Sequence, residues 1–153
     1  MHDFSFKRGK LYCENVSVAS LAKKHGSPLY VYSHATLTRN FRQLDAALSP
    51  VDHTIHFAVK ANSNLGVLRT LANAGSGFDI VSGGELQRVI AAGGDPSKCV
   101  FAGVGKTEEE IELALKKNIY AFTAESEPEL IRINQVARRL KKKAPIAVRV
   151  NPN

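Results

Sequence analysis

The residues from His56 to Leu86 read HFAVKANSNLGVLRTLANAGSGFDIVSGGEL. A short apolar segment ends at Lys60, a stretch of helical character follows near Leu65–Ala74, and a second apolar segment covers Phe78–Val81. Parallel strands of one sheet can be joined only through a crossover, which is usually a helix. The stretch therefore predicts a βαβ unit with a parallel sheet.

The same alternation continues to the end of the chain. Strands are predicted near Ile55–Val59, Phe78–Val81, Cys99–Ala102, Ile119–Phe122 and Ile146–Val150, and helices near Leu65–Ala74, Glu85–Ala92, Glu108–Lys117 and Pro128–Lys142. Thr107 with Glu110 predicts a capping box, and Gly75 predicts a helix end. Periodicity alone leaves two architectures open, an open doubly wound sheet and part of a (β/α)8 barrel.

The residues before this region have a different pattern. Two apolar segments flank a Lys-Arg-Gly-Lys turn and predict a hairpin over Phe4–Cys13. A helix near Val18–His25, a short strand over Leu29–Tyr32 and a long helix capped by Ser33 are expected to follow.

Composition limits the class of protein. The 153 residues are 44% hydrophobic and 23% charged, as in ordinary globular proteins, and no apolar run approaches the length of a membrane span. Cys13 and Cys99 are far apart in the sequence, which favours a reducing cytoplasm over a disulfide framework. The net charge of +7 includes a basic run, Arg138–Lys143, without the interleaved aromatic residues that stack on nucleic-acid bases. Neither a membrane nor a nucleic acid is therefore an expected partner.

Lys60 is the first candidate for chemistry. It ends an apolar strand at the carboxyl side, where parallel α/β folds keep their active sites. A partly desolvated lysine favours its neutral amine, which is the nucleophile that adds to an aldehyde. The alternative is a strand-end lysine whose ammonium simply reaches into solvent.

The next strand carries the other candidates. Asp79 lies between Phe78 and Ile80, where an unpaired carboxylate is costly to bury. The following Gly83–Gly84 pair permits close backbone approach, and Glu85 opens a helix, a position that the helix dipole alone would favour.

Other site types fit poorly. The Gly-Lys-Thr at Gly105–Thr107 resembles the end of a phosphate-binding loop, but that motif needs glycine at position 100, which is Val100. The glycines at Gly75–Gly77 precede a strand, whereas those of a dinucleotide-binding motif follow one. His53 and His56 are three residues apart at a strand entry and would point to opposite faces, so no metal site is expected.

These motifs together carry a family resemblance. The string from His56 to Leu86 closely resembles the fold-type III pyridoxal-phosphate-dependent decarboxylases, and is more similar to their diaminopimelate branch than to their ornithine or arginine branches. Three further strings agree, so the resemblance covers nearly the whole chain: LAKKHGSPLYVYS at Leu21–Ser33, FAGVGKTEEEIELAL at Phe101–Leu115 and VRVNP at Val148–Pro152.

The resemblance implies a fold and an assembly. The expected fold is α/β, an alanine-racemase-like (β/α)8 barrel followed by a β-rich C-terminal domain, of which this chain would hold about five βα units. Residues 1–28 would be a hairpin and helix that pair with the C-terminal domain, and residues 29–153 a partial barrel that binds pyridoxal phosphate. The full-length protein would be a homodimer.

The resemblance also implies a reaction. Pyridoxal phosphate would assist decarboxylation of meso-2,6-diaminopimelate to L-lysine and carbon dioxide, the last step of lysine biosynthesis. Lys60 matches the lysine that holds the cofactor. Asp79 and Arg149 match interior positions near the ring and would form a charge pair that orients Lys60, and Glu85 matches an acid of the same motif.

Several parts of that family's site lie further along the chain than Asn153. They are the glycine-rich phosphate cradle, the acid that bonds the pyridine nitrogen, and the C-terminal cysteine and tyrosine motifs. The chain is therefore expected to be an N-terminal fragment that binds the cofactor weakly and is inactive alone. Two alternatives stay open: an ornithine- or arginine-type decarboxylase of the same family, and a non-catalytic barrel relative that serves as a binding partner.

Overall fold

The computed structural model describes residues 2–152, and the chain divides into two compact units, Met1–Asp52 and His53–Asn153. The domain boundary expected after residue 28 stays a prediction. Within residues 2–152, none of the helices combines the length and the apolar character that crossing a membrane requires.

The first unit consists of a small antiparallel sheet and two helices. The elements are β1 (Phe4–Lys7), β2 (Lys10–Cys13), β3 (Val16–Ser17), α1 (Val18–His25) and α2 (His34–Leu48). Arg8 and Gly9 have φ values of 51° and 74°, and this pair of left-handed residues is the turn that suits a two-residue hairpin. The predicted hairpin and both predicted helices are confirmed.

Two carboxylates attach the hairpin to the start of α2. Glu14 accepts hydrogen bonds from Ser33 Oγ at 2.8 Å and from the Ala35 N–H at 3.0 Å. Asp3 accepts one from Thr36 Oγ1 at 2.6 Å, and this bond lowers the pKa of Asp3. Ser33 also caps the helix as predicted, because its hydroxyl accepts from the Thr36 N–H at 3.0 Å.

The predicted strand over Leu29–Tyr32 is wrong. These residues have no regular secondary structure, and Tyr30 and Tyr32 are exposed. A strand is stabilised by hydrogen bonds to a neighbouring strand. Neither of the two sheets found among residues 2–152 includes this segment, so its apolar alternation was not sufficient to make it a strand.

The second unit is a parallel sheet with four long helices. Its strands are β4 (His56–Ala58), β5 (Gly77–Ile80), β6 (Cys99–Phe101), β7 (Ala121–Ala124) and β8 (Ile146–Val148), and its helices are α3 (Leu65–Ala74), α4 (Gly83–Ala91), α5 (Glu108–Lys116) and α6 (Glu127–Arg139). Every strand pair is parallel, and the strand order follows the chain from β4 to β8.

The helices cover one face of this sheet. Phe78, Ile80, Phe101 and Phe122 alternate along the strands and are fully buried, whereas the residues between them, such as Asp79, are only half-buried. Successive helices pack beside one another in chain order. A doubly wound sheet reverses its strand order and has helices on both faces, so this arrangement is that of a (β/α) barrel. The predicted fold class is confirmed, with five consecutive strands described.

All four helices of this unit end in the same way. A residue one or two positions after the end of each helix has a positive φ. The residue that follows it donates its N–H to the carbonyl five positions earlier in the chain. The residues with positive φ are Gly75, Gly93, Asn118 and Lys141. The last two are not glycine, and their turns explain two errors at predicted ends: β7 begins at Ala121 and not at Ile119, and α6 ends at Arg139 and not at Lys142.

Gly77 is the glycine that the packing of this sheet most requires. A Cβ at this position would lie 2.5 Å from His56 Cδ2 and 2.7 Å from the Lys98 carbonyl oxygen, which is backbone and cannot swing away. We expect Gly77→Ala to lower the free energy of unfolding by about 1–3 kcal/mol through overpacking. Urea denaturation followed by circular dichroism measures the change.

Gly105→Ala is the matched control. No atom lies within 4 Å of the Cβ that it would add, so its stability should change by less than about 1 kcal/mol. Equal effects of the two substitutions would contradict the packing assigned to Gly77.

Cys99 provides a second test of the buried face. Burial raises the pKa of its thiol to about 12 from an ordinary value of 9.0. Near neutral pH we expect iodoacetamide to modify Cys99 only as fast as the chain unfolds, because the reactive thiolate is absent and the sulfur is covered. Peptide mass spectrometry across a urea series measures this, and rapid labelling without urea would show that the sheet does not pack as described.

Candidate active site

Lys60 lies at the carboxyl-terminal ends of the parallel strands. This end of the sheet is called its carboxyl edge below. It follows β4 in a short 3-10 turn, Val59–Ala61, whose first residue is fully buried and anchors the turn. Lys60 itself is exposed, and no hydrogen bond or ion pair joins its ammonium group to any other described residue. The fold therefore holds a primary amine at the edge where barrel enzymes carry out their chemistry.

Asp79 lies on the neighbouring strand, on the face away from the helices. It is paired in register with Ala58, two residues before Lys60, and with Val100 on β6. Its side chain is half-buried and makes no hydrogen bond or ion pair within residues 2–152. The two predicted residues Lys60 and Asp79 thus come from adjacent strands, and both side chains remain available for chemistry.

Glu85 has a local structural function. Its Oε2 atom accepts a hydrogen bond from the Val81 N–H at 2.7 Å, and Ser82 Oγ accepts from the Glu85 N–H at 3.2 Å. These two bonds satisfy N–H groups at the start of α4 that would otherwise lack partners. The other carboxylate oxygen, Oε1, has no hydrogen bond to another described residue.

Arg149 pairs with a residue that the sequence did not suggest. It follows β8, and its Nη1 atom lies 3.6 Å from Glu125 Oε2. The charge pair expected between Arg149 and Asp79 is not formed. Glu125 directly follows β7, so the partner comes from the adjacent strand, whereas Asp79 is two strands further away in the sheet.

Lys106 is the most buried charged group of this region. Its side chain has no exposed area, and its Nζ atom donates to Glu129 Oε1 at 2.9 Å, the Gly103 carbonyl at 2.7 Å and the Thr123 carbonyl at 2.8 Å. Three acceptors match the three N–H groups of an ammonium. This lysine is the one in the Gly-Lys-Thr string, and the structure gives it a buried ion pair in place of a phosphate.

Glu110 joins the starts of two helices. Its Oε2 atom accepts from the Thr107 N–H at 3.0 Å, which completes the predicted capping box of α5. Its Oε1 atom accepts from the Gly83 N–H at 2.8 Å, at the start of α4. A Cβ at Gly83 would lie 3.0 Å from Glu110 Cγ, so the close approach expected at the glycine pair is made to this side chain.

Sequence reasoning missed most of these carboxylate contacts, although a signal was present. A Ser or Thr is followed three residues later by Glu at the start of three successive helices: Ser82 with Glu85, Thr107 with Glu110 and Ser126 with Glu129. Only the second was predicted as a capping box. The spacing could have shown that Glu85 and Glu129 serve helix starts, but the buried partner of Glu129 depends on the fold.

The donor set fits an aldehyde cofactor better than a metal. No group of three or more His, Cys, Asp or Glu side chains suited to a metal ion occurs in the part of the chain that the structure describes. Lys60 supplies a primary amine without a competing partner, and Asp79 supplies a nearby negative charge on the sheet face that the helices leave uncovered. A primary amine is the group that bonds to the aldehyde carbon of pyridoxal phosphate.

Comparisons with known proteins also indicate a site for pyridoxal phosphate. The chain is 60% identical over 145 residues to diaminopimelate decarboxylase of Vibrio cholerae, covering 95% of this chain and 35% of that relative. It matches the crystal structure of diaminopimelate decarboxylase from M. jannaschii in complex with L-lysine with a TM-score of 0.93 and 36% identity, covering all of this chain and 37% of that one. The chain thus spans little more than a third of the length of these relatives.

Two further findings concern the cofactor. A crystal structure of SrLDC in complex with PLP and cadaverine matches with a TM-score of 0.79 and 26% identity, covering 99% of this chain and 36% of that one. Residues 34–153 match the family described as the pyridoxal binding domain of pyridoxal-dependent decarboxylases. Because this match includes α2, the whole parallel sheet and all four of its helices, the chain belongs to the pyridoxal-dependent decarboxylase family, through its pyridoxal-binding domain.

Proposed function

We propose that Lys60 binds pyridoxal phosphate covalently, in a protein that decarboxylates meso-2,6-diaminopimelate to L-lysine and carbon dioxide. The observation that carries this proposal is the amine of Lys60, which has no partner within residues 2–152 and follows the strand next to that of Asp79. The names of the relatives support the choice of substrate, since they include diaminopimelate decarboxylase and a complex of that enzyme with L-lysine.

Each proposed residue has a role that its position supports. When bound, the cofactor draws electrons from the bond that breaks as carbon dioxide leaves. Lys60 Nζ would hold the cofactor through its aldehyde carbon. Asp79, on the strand next to β4 and on the sheet face that the helices leave uncovered, would contact the cofactor on the same side of the sheet. Glu85 Oε1, which has no hydrogen bond to another described residue, and the Arg149 guanidinium are proposed to contact the cofactor or its lysine.

The assembly and the compartment are also proposals. The family resemblance supports a homodimer in the cytoplasm, and the two free, buried cysteines are compatible with a reducing environment. The substrate can be tested with a longer polypeptide that contains this chain and is as long as its relatives. We expect it to release carbon dioxide from meso-2,6-diaminopimelate, whereas release from L-ornithine or L-arginine alone would overturn the substrate assignment.

Covalent labelling tests the cofactor lysine. We expect incubation with pyridoxal phosphate, followed by borohydride reduction, to give a stable adduct at Lys60 in preference to other lysines, and Lys60→Ala to abolish it. Peptide mass spectrometry locates the adduct. The physical reason is that the 3-10 turn holds the backbone of Lys60 at the carboxyl-terminal end of the strands, where a cofactor can make further contacts, whereas lysines elsewhere on the surface react without selection.

Lys98→Ala is the matched control for this experiment. Lys98 is also exposed and also adjoins a strand, but it precedes β6 at the opposite edge of the sheet. Its replacement should leave the adduct at Lys60 unchanged. An adduct spread equally over Lys98, Lys60 and other surface lysines would refute the assignment of Lys60.

A pair of alanine variants separates cofactor binding from stability at two aspartates. Asp79 has no hydrogen bond or ion pair to another described residue, so Asp79→Ala should leave the free energy of unfolding nearly unchanged but reduce labelling of Lys60. Asp95 accepts from the Ser97 N–H at 2.9 Å and from Ser97 Oγ at 2.7 Å. Asp95→Ala should therefore cost about 1 kcal/mol and leave the labelling intact.

Thermal unfolding and adduct yield, measured on both variants, give the comparison. If Asp79→Ala destabilised the chain as much as Asp95→Ala and left the yield unchanged, Asp79 would be a structural residue and not part of the site.

A further inference from the structure

The function proposed above assigns no role to the buried ammonium of Lys106. Both members of its ion pair are shielded from solvent, since the Lys106 side chain has no exposed area and that of Glu129 is 4% exposed. Removing a charge from water is costly, and the cost is offset only where every polar atom of the pair has a partner. Lys106 meets that condition through Glu129 and two backbone carbonyls, so it is fixed in place.

The contacts of Glu129 continue toward the carboxyl edge of the sheet. One of its oxygens binds Lys106, and the other, Oε2, accepts from the Glu125 N–H at 2.8 Å. The Glu125 carboxylate in turn accepts from the Gly103 N–H at 3.1 Å and pairs with Arg149. Polar contacts through Glu129 and Glu125 thus connect the buried ammonium with Arg149, whose side chain is 54% exposed.

Lys106 also contacts the backbone at the ends of β6 and β7. Its ammonium binds the Gly103 carbonyl, while Glu125 binds the Gly103 N–H, so one residue of the β6–α5 loop is held on both sides. Arg132 on α6 donates to the Lys106 carbonyl at 3.1 Å. The segments after β6 and β7 are therefore both joined to this ion pair by hydrogen bonds.

We propose that Lys106 is a positioning residue of the cofactor site. The Lys106–Glu129 pair fixes the backbone of Glu125, and the Glu125 carboxylate then holds the guanidinium of Arg149 at the edge where Lys60 lies. This inference rests on the proposed function, in which Arg149 faces the cofactor. Lys106 itself contacts neither the cofactor nor the substrate.

The test measures the chemical reactivity of Arg149 in the chain without cofactor. Phenylglyoxal modifies arginine side chains, and peptide mass spectrometry gives the rate at Arg149 relative to Arg69, an exposed arginine on α3. The variant is the double substitution Lys106→Met with Glu129→Leu, which removes both charges and leaves neither buried alone. We expect the relative rate at Arg149 to rise about two- to fivefold, as for release from a partly exposed ion pair.

Lys142→Met is the matched control, because it also removes a lysine that joins separate segments through hydrogen bonds. Its Nζ atom donates to the Leu115 carbonyl and to Asn118 Oδ1, both at 2.7 Å, and neither contact involves the site. It should lower stability without changing the rate at Arg149. An unchanged Arg149 rate in a folded double variant, or an equal rise in the Lys142 variant, would overturn the proposal.

One further variant keeps the outcome interpretable. Glu125→Gln removes the partner of Arg149 directly and should reproduce the rise even if the double variant does not fold. If Glu125→Gln left the Arg149 rate unchanged, the proposal would be overturned.

Labelling of Lys60 by pyridoxal phosphate, measured on the same samples, separates the two proposals. If Arg149 responded while wild-type Lys60 were not labelled selectively, the contact series would stand, but its role toward the cofactor would fall with the proposed function. If Lys60 were labelled and the double variant reduced that labelling about tenfold, the positioning role would be supported.

Discussion

Each crossover of a parallel sheet turns from the carboxyl end of a strand into the start of a helix, and the first N–H groups of that helix lack partners within it. In this chain the partners are side chains of the same edge. Ser82, Thr107 and Ser126 accept from the helices that they cap, and the glutamate three residues later in each helix accepts from an N–H that precedes the helix. The same edge carries the candidate active site. The hydrogen bonds of the helix starts therefore determine which polar side chains are already engaged and which are available to a ligand.

Lys106 shows that a buried charge beneath this edge of the sheet also has hydrogen-bond partners. A lysine beneath the sheet edge would be strongly destabilising if its charge were unmatched. Its ammonium has one carboxylate and two carbonyls as partners, and the Phe101 ring lies below it with the centroid 5.6 Å from Nζ. Because the ring packs against Phe122 in the core, the ion pair connects the apolar layer of the sheet with its polar edge.

Local signals explain which parts of the structure the sequence could predict. The helix over Leu65–Ala74 and the capping box at Thr107 were predicted correctly, because caps and apolar spacing act within a few residues. The strand over Leu29–Tyr32 was predicted wrongly, because a strand depends on a partner elsewhere in the chain. The left-handed turn at Lys141 was missed, because nothing about a lysine indicates a positive φ.

The residues of the candidate site likewise divide into those that local sequence predicts and those that depend on the fold. Lys60 was placed at the carboxyl end of β4 from the sequence, since a strand and its last residues can be read locally. The partner of Arg149 could not be read, because it depends on which strand lies next to β8. Glu85 had two interpretations from its position alone, and the hydrogen bond to Val81 shows that one of its oxygens serves the helix start.

A repeat within the chain bears on whether Asp79 belongs to the fold or to the chemistry. The segment Phe78–Leu86 reads FDIVSGGEL and the segment Phe122–Leu130 reads FTAESEPEL, so both have the pattern Phe, three variable residues, Ser, two variable residues, Glu, Leu. The shared residues have the same structural positions: a fully buried phenylalanine, a capping serine, and a glutamate that bonds the N–H four residues earlier.

The second residue of each segment differs. Thr123 occupies the place of Asp79, and the β7–α6 unit folds with the same turn and the same cap. A carboxylate is therefore not required to build this kind of βα unit. A half-buried carboxylate without a partner costs free energy, and the fold gains nothing visible in return for Asp79. That cost is explained under the proposed function, in which the charge of Asp79 and the amine of Lys60 serve the same ligand.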